Sequence, residues 1–237
     1  LAGGRAGSLL GSPVALGCVL AMLLPLSLRS ALDGESPGRR RAGGACLGLM
    51  VLGLAATLSR GAWLAAAAAA AAYLLWSGRV LARKTAAALA VAAVLGGVAA
   101  VALTGRSRAT ADSDSGRVAV WRAAGSMFAA NPLLGVGPDT FTLALGRHKG
   151  PDFVRAYGAA GRQGHAHNDL LQVLATTGAV GLAAYLWLLT AAWRRLRNAL
   201  REPALQHDAA AAGAGLLAAF LVAKVNPLNL DALALAA

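Results

Sequence analysis

Three of the chain's four histidines, His148, His165 and His167, fall in one polar stretch between two apolar runs. Two of them belong to Gly164-His165-Ala166-His167-Asn168-Asp169-Leu170-Leu171-Gln172, which closes that stretch as the next apolar run begins. Imidazole is the side chain best suited to moving protons near neutral pH. Arg106, Arg108, Arg117, Arg122, Arg147, Lys149, Arg155 and Arg162 share the stretch and outnumber its aspartates. That balance suits an anionic ligand, and the position suits one delivered at a membrane surface. From chemistry alone the His-x-His pair has three readings. Asn168 or Asp169 caps the helix beginning at Leu170 and the histidines are solvated; the histidines transfer a proton or touch a ligand; or they bind a metal, although no Cys or Glu cluster lies nearby to complete a ligand set. Arg60 has two readings, a cation at a helix C-terminus favoured by the helix dipole, or an anion ligand.

These residues must be positioned by helices. The chain has 237 residues, 57% of them hydrophobic, and only 5% are aromatic. Apolar runs at 13–28, 42–58, 62–76, 85–104, 169–192 and 209–225 approach the ~20 residues that cross a bilayer as a helix. The fold class expected is all-α integral membrane, with about six transmembrane helices and one large outward loop. Residues 1–237 read as one polytopic domain, part of a longer chain, and 105–168 as the loop carrying the site. Cys18 and Cys46 lie in apolar runs and predict packing roles, not a disulfide framework or a zinc site.

The net charge of +12 raises nucleic acid as a ligand, but the basic residues sit in the gaps between apolar runs and make no stripe interleaved with aromatics. Nucleic acid is therefore not an expected partner; membrane lipids are. Short basic loops stay in the cytoplasm. Arg29 with Arg39-Arg40-Arg41, then Arg79, Arg83 and Lys84, then Arg194, Arg195, Arg197 and Arg201 mark three such loops. Six alternating helices put all three on the inner side, and the Ser59-Arg60-Gly61 turn and the 105–168 loop outside. Trp63 and Trp76 flank the third run as interfacial anchors. The second and third runs form a tight hairpin, with Gly61 expected to end the first of them. The Ala65–Ala72 run is either compositional filler or a surface permitting close backbone approach.

Within the loop, Asp112-Ser113-Asp114-Ser115 predicts an N-cap for a helix over about 116–130, with Arg117, Trp121 and Ala124 on one face, lying in the interface. Asn131-Pro132 ends it, and Leu133-Leu134-Gly135-Val136-Gly137-Pro138-Asp139-Thr140-Phe141 reads as a turn-rich segment whose glycines allow close approach.

In order along the chain, Gly11-Ser12-Pro13, Leu58-Ser59-Arg60-Gly61-Ala62-Trp63, Ser115-Gly116-Arg117 with Trp121-Arg122, Asn131-Pro132 through Phe141, His165-Ala166-His167-Asn168-Asp169-Leu170-Leu171-Gln172 and Thr177-Gly178-Ala179-Val180-Gly181 resemble the O-antigen ligase and O-antigen polymerase superfamily of bacterial membrane glycosyltransferases. The resemblance covers roughly residues 5–192. It departs where Gly-Ser-Pro replaces the family's frequent Gly-Asn-Pro-Asn, and where Asn226-Pro227-Leu228-Asn229 lacks a further histidine.

The resemblance implies a multi-pass protein of the bacterial inner (cytoplasmic) membrane with its active site on the outer, periplasmic face. It implies transfer of a glycan from an undecaprenyl-pyrophosphate carrier to a hydroxyl acceptor on lipid A core, glycan or protein, without a metal or other cofactor and with inversion. On that pattern His167 is the base or acceptor-orienting group, His165 its support, and Arg60, Arg117, Arg122, Trp121 and Asn168 bind substrate. The alternative is a non-catalytic protein that binds or transports a lipid-linked glycan during polysaccharide assembly.

Overall fold

The apolar runs become helices, but not every helix is a span. A computed structural model describes residues 13–57, 59–78 and 108–224. Among them there are eight helices and no strands: α1 (Pro13–Asp33), α2 (Pro37–Thr57), α3 (Arg60–Trp76), α4 (Arg108–Ala130), α5 (Phe141–His148), α6 (Pro151–Tyr157), α7 (Asp169–Ala199) and α8 (Gln206–Ala223). Two units result, divided between Ala102–Trp193 with Ala223–Pro227 and the rest of the chain. The division falls within α7.

The first unit is built on small residues. α1, α2, α3 and α8 meet over Cys18, Ala21, Leu24, Leu54, the buried alanines of α3 and Ala210, Ala211, Ala214 and Ala218 of α8. A Cβ on Gly215 would stand 2.5 Å from the Met22 carbonyl oxygen, and one on Gly43 2.5 Å from the Ala31 nitrogen. The helices therefore touch backbone to backbone, as small residues permit. The alanine run of α3 is core: Ala65, Ala66, Ala69, Ala70 and Ala72 are all buried.

The α2–α3 hairpin differs from expectation at its tip. α2 ends at Thr57, whose hydroxyl donates to the Leu54 carbonyl (2.7 Å) and accepts from the Ser59 amide (3.2 Å). Ser59 occupies the N-cap position of α3, and Gly61 lies inside that helix without a positive φ. A side chain thus ends α2, and no left-handed glycine is needed. Arg60 is consequently the first residue of α3, not a cation at a helix C-terminus. Trp63 anchors the tip by donating its indole N–H to the Leu54 carbonyl (2.6 Å).

At the other end of this unit, Tyr73 donates to Asp33 (2.5 Å), Arg29 pairs with Asp208 (2.7 Å) and Gln206 donates to the Trp76 carbonyl (3.1 Å). The ends of α1 and α3 and the start of α8 therefore meet. Of the three basic junctions, the one holding Arg79, Arg83 and Lys84 lies outside the described residues.

Among the described residues, α1, α7 and α8 are long and apolar enough to cross a membrane. α2 opens on Pro37-Gly38-Arg39-Arg40-Arg41, which shortens its apolar part. α3 has 17 residues, about 25 Å of helix against an apolar bilayer core of ~30 Å. The 85–104 run lies outside the described residues. Six spans thus become three among the described residues.

The second unit gathers α4, α5, α6 and the first part of α7 around Val120, Met127, Phe141, Leu145, Phe153, Ala166 and Ala175. α4 starts at Arg108, so Asp112-Ser113-Asp114-Ser115 lies within the helix and does not cap it.

α7 is broken at Gly178, where φ is 64° and ψ is −160°. Tyr185 nevertheless hydrogen-bonds to Asp169. Sixteen residues of straight helix would separate the two by about 24 Å, so the chain folds back sharply at the glycine. The expected span over 169–192 is therefore two helical pieces, and the apolar part of the second, 179–193, ends at Arg194-Arg195.

The turn-rich segment after α4 fills the break. Val136 and Gly137 donate to the carbonyls of Ala175 and Thr176 (both 2.9 Å), while Ala179 and Val180 donate to those of Pro132 (2.8 Å) and Leu133 (3.2 Å). Both helix ends exposed by the break are thereby satisfied. The approach is close enough that a Cβ on Gly178 would lie 2.4 Å from Leu133 backbone, and one on Gly135 2.4 Å from Thr176 backbone.

Candidate functional site

The histidine loop is held from both sides of Ala166. The Ala166 side chain is buried in the second unit's core, and its amide donates to the Gln172 side-chain oxygen (2.8 Å) one turn into α7. With Ala166 pinned, His165 and His167 project half-exposed on either side, their ring centroids 4.4 Å apart and tilted by 56°. His167 Nε2 lies 3.3 Å from Gln163 Oε1.

His167 also has φ +53°, one of two non-glycine residues in the left-handed region among the described residues; the other is Asp139. Such a conformation costs of order 1–3 kcal/mol and persists only where its surroundings impose it. The Ala166–Gln172 bond before His167 and the start of α7 after it supply that constraint.

Asn168 caps α7: its Oδ1 accepts from the Leu171 amide (3.2 Å), the arrangement that the capping reading anticipated. Asp169, the first residue of α7, accepts from Lys224 Nζ at 2.6 and 2.8 Å as well as from Tyr185. A carboxylate at a helix start is favoured by the exposed amides there, and the lysine neutralises it. Lys224 and Tyr185 had no sequence signal linking them to Asp169, because the fold-back at Gly178 makes the contact.

On α4, Arg117 and Trp121 stand one turn apart and are half-buried. The Trp121 indole nitrogen is buried and has no hydrogen-bond partner among the described residues. A buried donor left unsatisfied is costly, and sites that receive ligands are where such donors are retained. Gly116, just before Arg117, packs under the Tyr157 ring, where a Cβ would stand 2.5 Å from the hydroxyl. Arg122 is turned elsewhere: its guanidinium is paired with Asp152, which also approaches Arg155 (3.5 Å). Arg117 and Trp121 thus share a flank of α4, and Arg122 lies about 140° round the helix from Arg117 and about 100° from Trp121. Arg60 belongs to the first unit. Among the described residues no three His, Cys, Asp or Glu side chains converge as a metal-ligand set.

The polar clamp of Gln172 and Gln163 and the partnership of Arg122 with Asp152 were not assigned from sequence. Gln172 lies within the histidine segment, but its function depends on the backbone direction at Ala166.

Residues 45–186 match the sequence model of the Wzy_C family, O-antigen ligase. The chain belongs to the O-antigen ligase family. The matched region holds more than half of the chain and contains every candidate residue, from Arg60 to Asn168. No curated protein and no solved structure matches the chain. O-antigen ligase-like glycan transfer is the activity that this membership brings to a membrane-helical protein, with a lipid-linked glycan and an acceptor as its partners.

Proposed function

We propose that the chain transfers a glycan from an undecaprenyl-pyrophosphate carrier to an acceptor hydroxyl at the outer face of the bacterial inner membrane, without a metal ion. The observation that carries the reading is the histidine loop: His167 held in a strained backbone conformation beside His165, within the family-matched region. The acceptor oxygen attacks the anomeric carbon as the bond to the pyrophosphate oxygen breaks. The pyrophosphate leaves with that electron pair, the hydroxyl proton passes to His167, and a single displacement inverts the anomeric centre.

The leaving group is already activated, so the protein must stabilise the charge building on it and orient the acceptor. Arg117 suits the first task, since a guanidinium binds phosphate oxygens through two parallel N–H bonds. The indole N–H of Trp121, one turn along α4 and without a partner among the described residues, supplies a further donor. His165 supports His167 through their ring contact. Asn168 contributes by fixing the start of α7 behind the histidines. Arg60 enters through the motif it shares with the family, and Arg122 through the flank taken up below.

The test is glycan transfer by the full-length protein in membranes, supplied with an undecaprenyl-pyrophosphate oligosaccharide in the presence of EDTA. Wild type is expected to transfer, and His167→Ala, Arg117→Ala and Arg60→Ala at matched expression to lose most of the rate. Loss of wild-type transfer in EDTA, restored by Mg²⁺, would overturn metal independence. Donor binding without transfer to any acceptor would favour a non-catalytic carrier-binding protein.

A further inference from the structure

The flank of α4 turned away from Arg117 forms one wall of a hollow of about 350 Å³. Its volume falls within the range of small-ligand sites. Three elements build it: α4, the end of α5, and the turn into α6. Ala119, Ala123 and Phe153 give it an apolar floor, all three buried.

Three permanent cations surround that floor, Arg122, Arg147 and Lys149, against one carboxylate, Asp152. Arg122 is tied to Asp152, yet a guanidinium has five N–H donors, so one carboxylate does not exhaust it. Lys149 donates to the Ala159 carbonyl (3.0 Å) and stands 5.6 Å from the Phe153 ring centre, which fixes its ammonium beside the hollow with further donors to give. Arg147 forms no ion pair among the described residues. Ser126 Oγ and His148 Nδ1 are 2.9 Å apart, which sets the plane of a second imidazole on the rim.

An apolar floor, a surplus of fixed cations and one carboxylate together describe a ligand with an apolar face, an anionic group and hydroxyls. An acidic sugar has all three: the ring's C–H face lies on alanine and phenylalanine, its phosphate or carboxylate meets the cations, and its hydroxyls donate to Asp152. We infer that this hollow binds a phosphate- or carboxylate-bearing sugar, as a subsite that includes neither His167 nor Arg117. As a subsite for transfer it rests on the glycosyltransferase reading; as a sugar-anion site it does not. The acidic sugar belongs either to the acceptor or to the glycan of the donor.

The first measurement is direct binding of glucose 6-phosphate, glucuronate and glucose to the full-length protein in nanodiscs. Both acids are expected to bind at least roughly tenfold more tightly than glucose. The Arg147→Ala, Lys149→Ala double variant removes that preference, and Ser126→Leu, at an exposed position on the rim, blocks the hollow without touching the core. His167→Ala retains the binding, which separates this site from the transfer chemistry. Equal affinity for acid and neutral sugars, or acid binding untouched by both rim changes, would overturn the inference. Transfer assays then name the source: in the double variant the KM for an acidic acceptor rises if the acceptor supplies the anion, and the KM for an acidic donor rises if the donor does.

Discussion

The two units solve opposite packing problems. The first brings helices together by removing side chains: Gly43 and Gly215 admit neighbouring backbones, and alanines line the contact surface of α3. The second brings irregular backbone together by hydrogen bonding it, with the 132–137 segment lodged in the break of α7. Shape alone suffices where every backbone amide is already bonded within a helix. Where helices end inside the protein, each terminal amide and carbonyl needs a named partner. The chemistry-bearing residues His165, His167, Arg117 and Trp121 are all in the second unit. Positioning a reacting group needs directional bonds, which close packing of small residues does not provide.

The comparison makes the largest demand on His167. His167→Ala should lower transfer by about 10²–10⁴-fold, the range for one positioned base. Thermal unfolding of the same variant should remain near wild type. His167→Gly sharpens this: it suits the left-handed backbone and should unfold no earlier than the alanine variant while transferring no faster. Full activity in either would remove the residue from the chemistry.

Next comes Gly178→Val. A β-branched residue at φ 64°, with its Cβ against Leu133 backbone, should cost at least about 3 kcal/mol. Loss of both folded yield and transfer is expected, read by size-exclusion profile and membrane assay. A folded, active Gly178→Val protein would break the view that the second unit depends on this interlock.

A Gly215→Leu change probes the first unit. Overpacking against Met22 should cost about 1–3 kcal/mol, seen as a lower unfolding temperature. Transfer per folded molecule should change little. Gln172→Ala should cost about 1 kcal/mol in stability while reducing transfer disproportionately, because the Ala166 amide loses its acceptor and the histidines their placement. At the small end, Glu35→Ala removes the partner of Arg39 at an exposed ion pair and should leave both readouts unchanged.

These contrasts also follow what could be read from the residue string. The helices of the first unit were visible as apolar runs, because burial among helices or lipid leaves a compositional mark. At the Ser59 turn the difference is local: Thr57 ends α2 with its hydroxyl, an option that competes with a C-terminal glycine whenever Ser or Thr is near. In the second unit, the histidine segment and its Asn168 cap were legible, while α5 and α6 were too short to show a period. The fold-back of α7 was hidden because apolar residues continue through Gly178. Its partner, the Asn131–Thr140 segment, lies far away in sequence. Arg122 looked like a companion of Arg117, and only its angular position on α4 separates them.

The backbone lodged in the break of α7 carries a consequence for motion. The amide protons of Val136, Gly137, Ala179 and Val180 are each held by a carbonyl of the opposite strip of chain, four bonds across one seam. In hydrogen–deuterium exchange they should therefore behave as a single opening event, with one shared protection factor above that of the exposed α6. The histidine loop, about three helical turns upstream of Gly178, would inherit its stillness from that event's rarity.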